Sequence, residues 1–133
     1  MSSYIKKLEE LKVKLFRLHF LLTEEQTEQA RFDGVSQFKI CYEGAMECLE
    51  IFIHNEFSQE SKSYNETLEL ALEHRLFNQK MIESMQQMSG DYNLAVKGKN
   101  LESIYQILQD KYAGFLQMIF DMLTHMGEEA EEE

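Results

Sequence analysis

Apolar residues recur at steps of three and four along most of this 133-residue chain, which is the spacing of one face of an α-helix. The first such stripe predicts an amphipathic helix over about residues 3–22. The stripe consists of Ile5, Leu8, Leu11, Leu15, Leu18 and Leu22. We expect this side of the helix to face a hydrophobic core.

A second apolar stripe predicts a long helix over about residues 34–57, and both cysteines of the chain lie in it. Cys41 and Cys48 are seven residues apart, on one face but too far apart along the helix axis to form a disulfide bond. We therefore interpret them as small core residues. Met81, Met85 and Met88 also recur at one-turn spacing and are interpreted as core rather than as a binding surface.

Residues that cap helix N-termini indicate where the other helices begin. Two pairs have the spacing of a capping box, namely Thr23 with Gln26 and Ser63 with Glu66. Asn78 and Asn100 fit single N-caps. These signals predict short helices over about 63–76 and 78–88 and a long last helix over about 100–126.

The segment SGDYNLAVKGKN, residues 89–100, combines two glycines with two asparagines and shows no sustained period. It therefore predicts an irregular connection, and such loops often have functional roles. The terminal GEEAEEE, residues 127–133, is a run of like charges that predicts a disordered acidic tail.

Proline is absent and no alternating β pattern occurs, so the sequence predicts an all-α fold. Amphipathic helices can bury their stripes only against one another, which favours an up-and-down helical bundle of about five helices. We expect one bundle domain over residues 1–126.

The charge balance narrows the possible partners. Thirteen basic residues against 24 acidic ones give a net charge of -11, which opposes binding to free nucleic acid. The sequence offers no secretory signal and no apolar run of the length of a membrane span. With two cysteines and no disulfide framework, we expect a cytoplasmic protein that does not enter a membrane.

Motifs that carry catalytic or cofactor chemistry are missing from the sequence. The four histidines have neither the spacing of a metalloprotease nor the Glu-x-x-His step of a di-iron bundle, and the glycines form no phosphate-binding loop. We predict no catalytic residues, no metal site and no cofactor.

Two segments resemble a known family. The sequence RFDGVSQFKICYEGAMECLE at 31–50 and IYQILQDKY at 104–112 are similar to two helices of the nucleotidyltransferase substrate-binding proteins of the HEPN superfamily. The matching positions are Arg31, Phe38, Tyr42, Glu43, Ala45, Ile104, Tyr105 and Tyr112. Met46 stands where the family has tryptophan.

The resemblance implies a bundle that forms a homodimer through long helices and pairs with a separately encoded minimal nucleotidyltransferase, often as a toxin–antitoxin couple. Active HEPN proteins are ribonucleases with an Arg-x4-6-His motif. That motif would fall at residues 88–94, which read MSGDYNL and contain neither arginine nor histidine. The resemblance therefore implies a member without ribonuclease chemistry.

The leading hypothesis is a non-catalytic, dimeric binding module that docks a nucleotidyltransferase and presents residues 89–100 near a shared groove. Its candidate binding residues are Arg31, Tyr42, Glu43, Asp91, Tyr92, Asn93 and Tyr105. One alternative is a ribonuclease with a rearranged site made of His74, Asp91 and Tyr92. Another is a plain helical scaffold or adaptor.

Overall fold

A computed structural model describes residues 2–24 and 27–132, and within these ranges all regular structure is helical. The helices are α1 (Ser2–Thr23), α2 (Glu28–Phe57), α3 (Tyr64–Glu73), α4 (Gln79–Val96), α5 (Leu101–Ile107) and α6 (Ala113–Glu132). A π-helical turn, Leu108–Tyr112, joins α5 to α6 without a break. The predicted all-α bundle is confirmed. None of the helices in the described ranges is long and apolar enough to cross a membrane.

Helix α2 is the centre of the bundle, since it contacts every other helix. Cys41 and Cys48 are fully buried in it as free thiols, as the apolar pattern predicted. Most of the α1 stripe is also buried, but Ile5 keeps 37% of its surface exposed and was wrongly assigned to the core. The methionine stripe packs inward through Met85 and Met88.

Helix α2 begins six residues earlier than the sequence indicated. The Thr27 hydroxyl caps it by accepting a hydrogen bond from the Ala30 amide at 3.0 Å. The proposed capping box at Thr23 includes Gln26, which lies outside the described residues. The Thr23 hydroxyl donates to the Phe20 carbonyl at 2.7 Å, so it closes α1.

Helices α3 and α4 begin where the caps predicted. Ser63 Oγ accepts from the Glu66 amide at 3.1 Å, and Asn78 Oδ1 accepts from the Met81 amide at 2.9 Å. Glu66 Oε2 accepts in return from the Lys62 amide at 3.3 Å. Helix α3 ends at Glu73, slightly before the predicted boundary.

The predicted loop at 89–100 is wrong, because α4 continues to Val96. Ser89, Tyr92 and Ala95 are buried at three-residue steps and extend the methionine stripe of the same helix. The connection is thus confined to about residues 97–100, where Gly98 has a φ of 70°.

Asn100 does not cap α5 with its side chain, contrary to expectation. Its backbone is left-handed, with φ 55° and ψ 31°, and its carbonyl accepts from the Ile104 amide. Asparagine tolerates this conformation better than most residues, which explains its presence there.

The π-helical turn follows from the spacing of the core residues. Four buried residues occur at uniform four-residue steps, namely Ile104, Leu108, Tyr112 and Leu116. Three such steps would rotate the buried face by about 120° in an α-helix of 3.6 residues per turn. One wider turn offsets most of this rotation and keeps all four residues on the core side.

The acidic end of the chain is helical through Glu132, where disorder was expected from residue 127. Gly127 lies against the Tyr4 ring, since a Cβ there would approach Tyr4 Cε2 to 2.8 Å. The Tyr4 hydroxyl donates to the Leu123 carbonyl. This contact with α1 fixes α6 at Gly127, and glutamate, a good helix former, continues the helix.

Candidate functional site

Tyrosines from three helices meet on one side of α2. Tyr42 of α2 lies 4.8 Å from Tyr92 of α4 and 5.6 Å from Tyr64 of α3, between ring centroids. Tyr112 of the π-helical turn joins them through Phe38, on which it stacks at 5.6 Å. Phe38 is in turn 6.4 Å from Tyr42. We refer to Tyr42, Tyr64, Tyr92 and Tyr112 as the tyrosine cluster.

Two phenols of the cluster donate hydrogen bonds to carboxylates. Tyr92 Oη donates to Glu43 Oε2 at 2.9 Å, and Tyr112 Oη donates to Asp91 Oδ2 at 2.5 Å. Burial and the adjacent carboxylate both raise the pKa of each tyrosine. Both phenols therefore stay protonated at neutral pH and cannot serve there as nucleophile or base.

Tyr42 differs, because its buried hydroxyl has no hydrogen-bond partner of ordinary geometry among the residues that the structure describes. Burial raises the pKa of Tyr42 to about 12, with a smaller increase from Tyr64. The Ser89 hydroxyl is near enough to oppose this rise, although it makes no hydrogen bond of ordinary geometry to Tyr42. The cluster therefore contains one buried hydroxyl that is poorly paired.

A row of carboxylates borders the cluster. Glu43, Glu47 and Glu50 follow one another on the outward side of α2 at steps of four and three residues. Burial, and then these three charges, raise the pKa of Tyr64. Burial and Glu47 also raise the pKa of Glu50, while a hydrogen bond from Thr67 lowers it. Such a negative surface disfavours the phosphates of RNA.

Arg31 and Tyr105 lie elsewhere, at the N-terminal end of α2. Arg31 Nε is 3.7 Å from Glu102 Oε1, in an ion pair open to solvent. Tyr105 is buried against Gly34, and its hydroxyl accepts from Gln109 Nε2 at 3.1 Å. Eleven residues of helix separate Arg31 from Tyr42, or about 16 Å along the axis.

Four of the seven candidate residues therefore belong to one group, namely Tyr42, Glu43, Asp91 and Tyr92. Asn93 follows Tyr92 on α4 and is exposed. Sequence reasoning did not assign Tyr64 and Tyr112 to the site. Tyr112 is one of the positions that match the resembled family, so the sequence could have pointed to it. No motif or matching position in the sequence pointed to Tyr64.

The groups of the alternative ribonuclease site do not interact with one another through hydrogen bonds. His74 stacks on Phe57 at 3.8 Å between centroids, and its Nε2 hydrogen-bonds Gln59 Oε1. Asp91 and Tyr92 have the other partners given above. Within the described ranges, no three His, Cys, Asp or Glu side chains are grouped around a possible metal position.

No family model and no curated protein matches this sequence. Solved structures do match over nearly the whole chain. One is a chain from the toxin–antitoxin pair MntA-HpeT, with 15% identity and a TM-score of 0.79, covering 94% of this chain and 99% of that one.

A toxin–antitoxin structure with AMP-PNP has 15% identity and a TM-score of 0.70, over 90% of this chain and 96% of its own. A protein from Thermus thermophilus has 22% identity and a TM-score of 0.68, over 90% and 98%. This chain has their fold. At these identities the likeness establishes the arrangement of helices and leaves the chemistry to the residues themselves.

Proposed function

We propose that this protein is the helical subunit of a toxin–antitoxin pair, and that it acts by binding, as a homodimer, to a minimal nucleotidyltransferase. The observation that carries the proposal is the match in fold to toxin–antitoxin chains over 94% of this chain and 99% of the other. A match of this extent leaves little of either chain outside the shared fold.

The two segments that resemble nucleotidyltransferase substrate-binding proteins support the identity of the partner. They lie in contact in the structure, since Gly34 lies against Tyr105 and Phe38 stacks on Tyr112. The two segments that carry the resemblance are therefore packed against each other in the fold. One similar toxin–antitoxin structure contains AMP-PNP, an ATP analogue, which is in line with a partner that uses nucleotides.

The residues at the ribonuclease motif positions support a role without catalysis. By the resemblance, the arginine position falls on Met88 or Ser89, and both of these residues are buried. The histidine position falls on Asn93 or Leu94, and neither side chain titrates at neutral pH. With protonated tyrosines and a row of glutamates alongside, this region is unsuited to polarising an RNA phosphate.

Affinity capture of the tagged protein from its host, with a mock-tag control and mass spectrometry, tests the partner. We expect a small nucleotidyltransferase in near-equal amount. Recovery of the protein alone would favour the scaffold alternative. RNA cleavage by the purified protein that disappears in His74→Ala would establish the ribonuclease alternative instead.

The same capture locates the docking surface. Asn93→Arg places a bulky cation beside the tyrosine cluster, and Gln87→Arg makes the same change at another exposed position of α4. We expect the first to reduce recovery of the transferase by about tenfold or more and the second to leave it unchanged. Equal recovery from both variants would place the contact away from the cluster.

A further inference from the structure

Apolar side chains remain exposed along the outer side of α1. Ile5, Val13, Phe16 and Phe20 keep 37%, 70%, 75% and 54% of their surface exposed. At about 100° per residue, these four residues fall within an arc of about 80° around the helix axis. They are half of the eight large apolar residues that are exposed in the described ranges. We call Ile5, Val13, Phe16 and Phe20 the α1 ridge.

The α1 ridge points away from the helices that pack on α1. Helix α2 is contacted through Lys7, whose Nζ lies 3.5 Å from Glu47 Oε2. Helix α6 is contacted through His19, whose Nε2 lies 3.2 Å from Gln117 Oε1. Lys7 and His19 lie about 120° and about 40° beyond the two edges of the ridge. The ridge is therefore a convex surface that runs for about 22 Å along the helix.

Positive charge borders the ridge on both edges. Lys12 lies about 20° beyond the edge toward α6, and Lys6 and Arg17 lie about 20° and about 40° beyond the edge toward α2. All three are exposed, and none of them forms an ion pair with a described residue, whereas Lys7 lies 3.4 Å from Glu10 Oε2. We call Lys6, Lys12 and Arg17 the ridge cations. In a chain whose net charge is -11, α1 has five lysines and arginines and only two carboxylates.

We propose that the α1 ridge binds the surface of an anionic lipid bilayer, with its apolar side chains at the acyl boundary and the ridge cations at the lipid phosphates. An apolar stripe with aromatic residues, bordered by lysine and arginine, is the pattern of helices that lie in the plane of a membrane interface. The long stems of lysine and arginine keep the charged ends at the headgroups while the stripe is buried. Such attachment is peripheral and needs no spanning helix. It is independent of the proposed function.

The size of the ridge favours a lipid surface over a protein partner. A single helix about 10 Å wide offers roughly 220 Å² over the length of the ridge. A standard protein interface takes about 800 Å² from each partner. A convex ridge also needs a matching groove in a protein, whereas a fluid bilayer adapts to its shape.

Most acidic charge near the ridge lies behind α1. Glu43, Glu47 and Glu50 belong to α2, which packs on the inner side of α1. Helix α1 is about 10 Å thick with its side chains, and screening at physiological ionic strength acts over about 8 Å. Repulsion between these carboxylates and lipid phosphates is therefore mostly screened, while the ridge cations reach the phosphates directly. Glu9 is different, because it lies in the middle of the ridge arc and opposes binding.

Sedimentation with lipid vesicles at physiological salt tests the proposal. Vesicles of phosphatidylcholine with phosphatidylglycerol supply the anionic surface, and vesicles of phosphatidylcholine alone are neutral. We expect binding to the anionic vesicles to be at least about tenfold tighter. Phe16→Glu should weaken this binding by at least about tenfold. Met118→Glu makes the same change at a residue of α6 that is 44% exposed, and should leave it unchanged. Circular dichroism checks that both variants fold.

Substitutions of charged residues should act in opposite directions. Lys12→Glu should weaken binding to anionic vesicles, whereas Lys99→Glu, in the connection before α5, should not. Glu9→Gln should strengthen binding because it removes the carboxylate from the middle of the ridge, while Glu69→Gln on α3 should have no effect. Unchanged binding by both Lys12→Glu and Glu9→Gln would overturn the proposed orientation.

The chain contains no tryptophan, so an introduced one reports only its own surroundings. Emission from Phe20→Trp should shift to shorter wavelength when anionic vesicles are added, because the indole leaves water. Emission from Met118→Trp should stay in place. The same shift from both variants would place the lipid contact outside the ridge.

Transferase capture separates this proposal from the proposed function. Loss of vesicle binding in Phe16→Glu, with normal capture of the transferase, supports both proposals. A wild type that does not bind anionic vesicles would overturn the lipid proposal and leave the proposed function intact. If Phe16→Glu then lost the transferase, the ridge would belong to that protein instead.

Discussion

Three tyrosines of the cluster place the same phenol in different surroundings. Tyr92 and Tyr112 donate to carboxylates, whereas the buried Tyr42 hydroxyl makes no hydrogen bond of ordinary geometry within the described part of the chain. A hydrogen bond to a charged group stabilises a fold by about 1.5–3 kcal/mol, while an unpaired buried polar group costs about 1–3 kcal/mol. Removal of each hydroxyl should therefore have opposite consequences.

We expect Tyr92→Phe and Tyr112→Phe to lower the free energy of unfolding by about 2 kcal/mol each, since each leaves a carboxylate without its donor. Tyr42→Phe should leave it unchanged or raise it by about 1 kcal/mol, because a poorly paired buried hydroxyl is removed. Urea denaturation of the three variants measures these differences. A loss in Tyr42→Phe equal to that in Tyr92→Phe would show that its hydroxyl is paired in solution.

Single residues of the site were only partly predictable from the sequence. Tyr42, Glu43, Asp91 and Tyr92 were on the candidate list and proved to be neighbours, although Asp91 and Tyr92 were expected on a loop. Tyr64 was missed because periodicity shows which side of a helix is buried but not which helix it meets. For the same reason Arg31 was grouped with Tyr42, which lies about 16 Å away along the axis of α2.

At the scale of elements, the least accurate prediction concerned α4. Gly90 and Asn93 were read as loop signals, but the helix passes through both of them because Ser89, Tyr92 and Ala95 continue its buried face. Local propensity was overridden by tertiary packing. The helix starts at Ser63 and Asn78 were predicted correctly because the capping interaction is local, whereas the capped start at Thr27 was missed.

Glycines inside helices give a matched test of the helix packing. A Cβ at Gly90 or Gly114 would meet nothing within 4 Å, whereas at Gly127 it would lie 2.8 Å from the Tyr4 ring. Gly90→Ala and Gly114→Ala should each raise the free energy of unfolding by about 0.5–1 kcal/mol through better helix propensity. Gly127→Ala should lower it by about 1–3 kcal/mol through overpacking.

Thermal and urea unfolding of the three glycine variants measure these changes in the free energy of unfolding. An increase in stability for Gly127→Ala like that for Gly114→Ala would mean that the end of α6 is not held against α1 in solution. It would also favour the disordered tail expected from the acidic sequence.

At the scale of the whole molecule, buried thiols and phenols make the free energy of unfolding depend on pH in the alkaline range. Burial raises the pKa of Cys41 and Cys48 from 9.0 to about 12 and that of Tyr42 from 10.0 to about 12. The pKa values of Tyr92 and Tyr112 are raised as well. Each group binds its proton more tightly when the chain is folded. The resulting stability is complete below pH 9 and is lost as the pH rises toward 12.

We therefore expect the free energy of unfolding to fall by several kcal/mol between about pH 9 and 12, with tyrosine ionisation and loss of helix in one transition. Urea titrations over this range, followed by tyrosinate absorbance and circular dichroism, measure it. The substitution Tyr92→Phe should make the fall shallower. Tyrosine ionisation that precedes any loss of helix would contradict the coupling.

The π-helical turn at Leu108–Tyr112 separates α5 from α6, and the buried faces of the two helices are rotated relative to a continuous α-helix. Residues before it are aligned to α2 and α4, and residues after it to α1 and α2. Loss of one codon within this turn would return it to the ordinary α-helical period, and the buried residues on both sides of it would keep their directions. The turn is thus a place where the chain can change in length by one residue without rotating α6 out of the core.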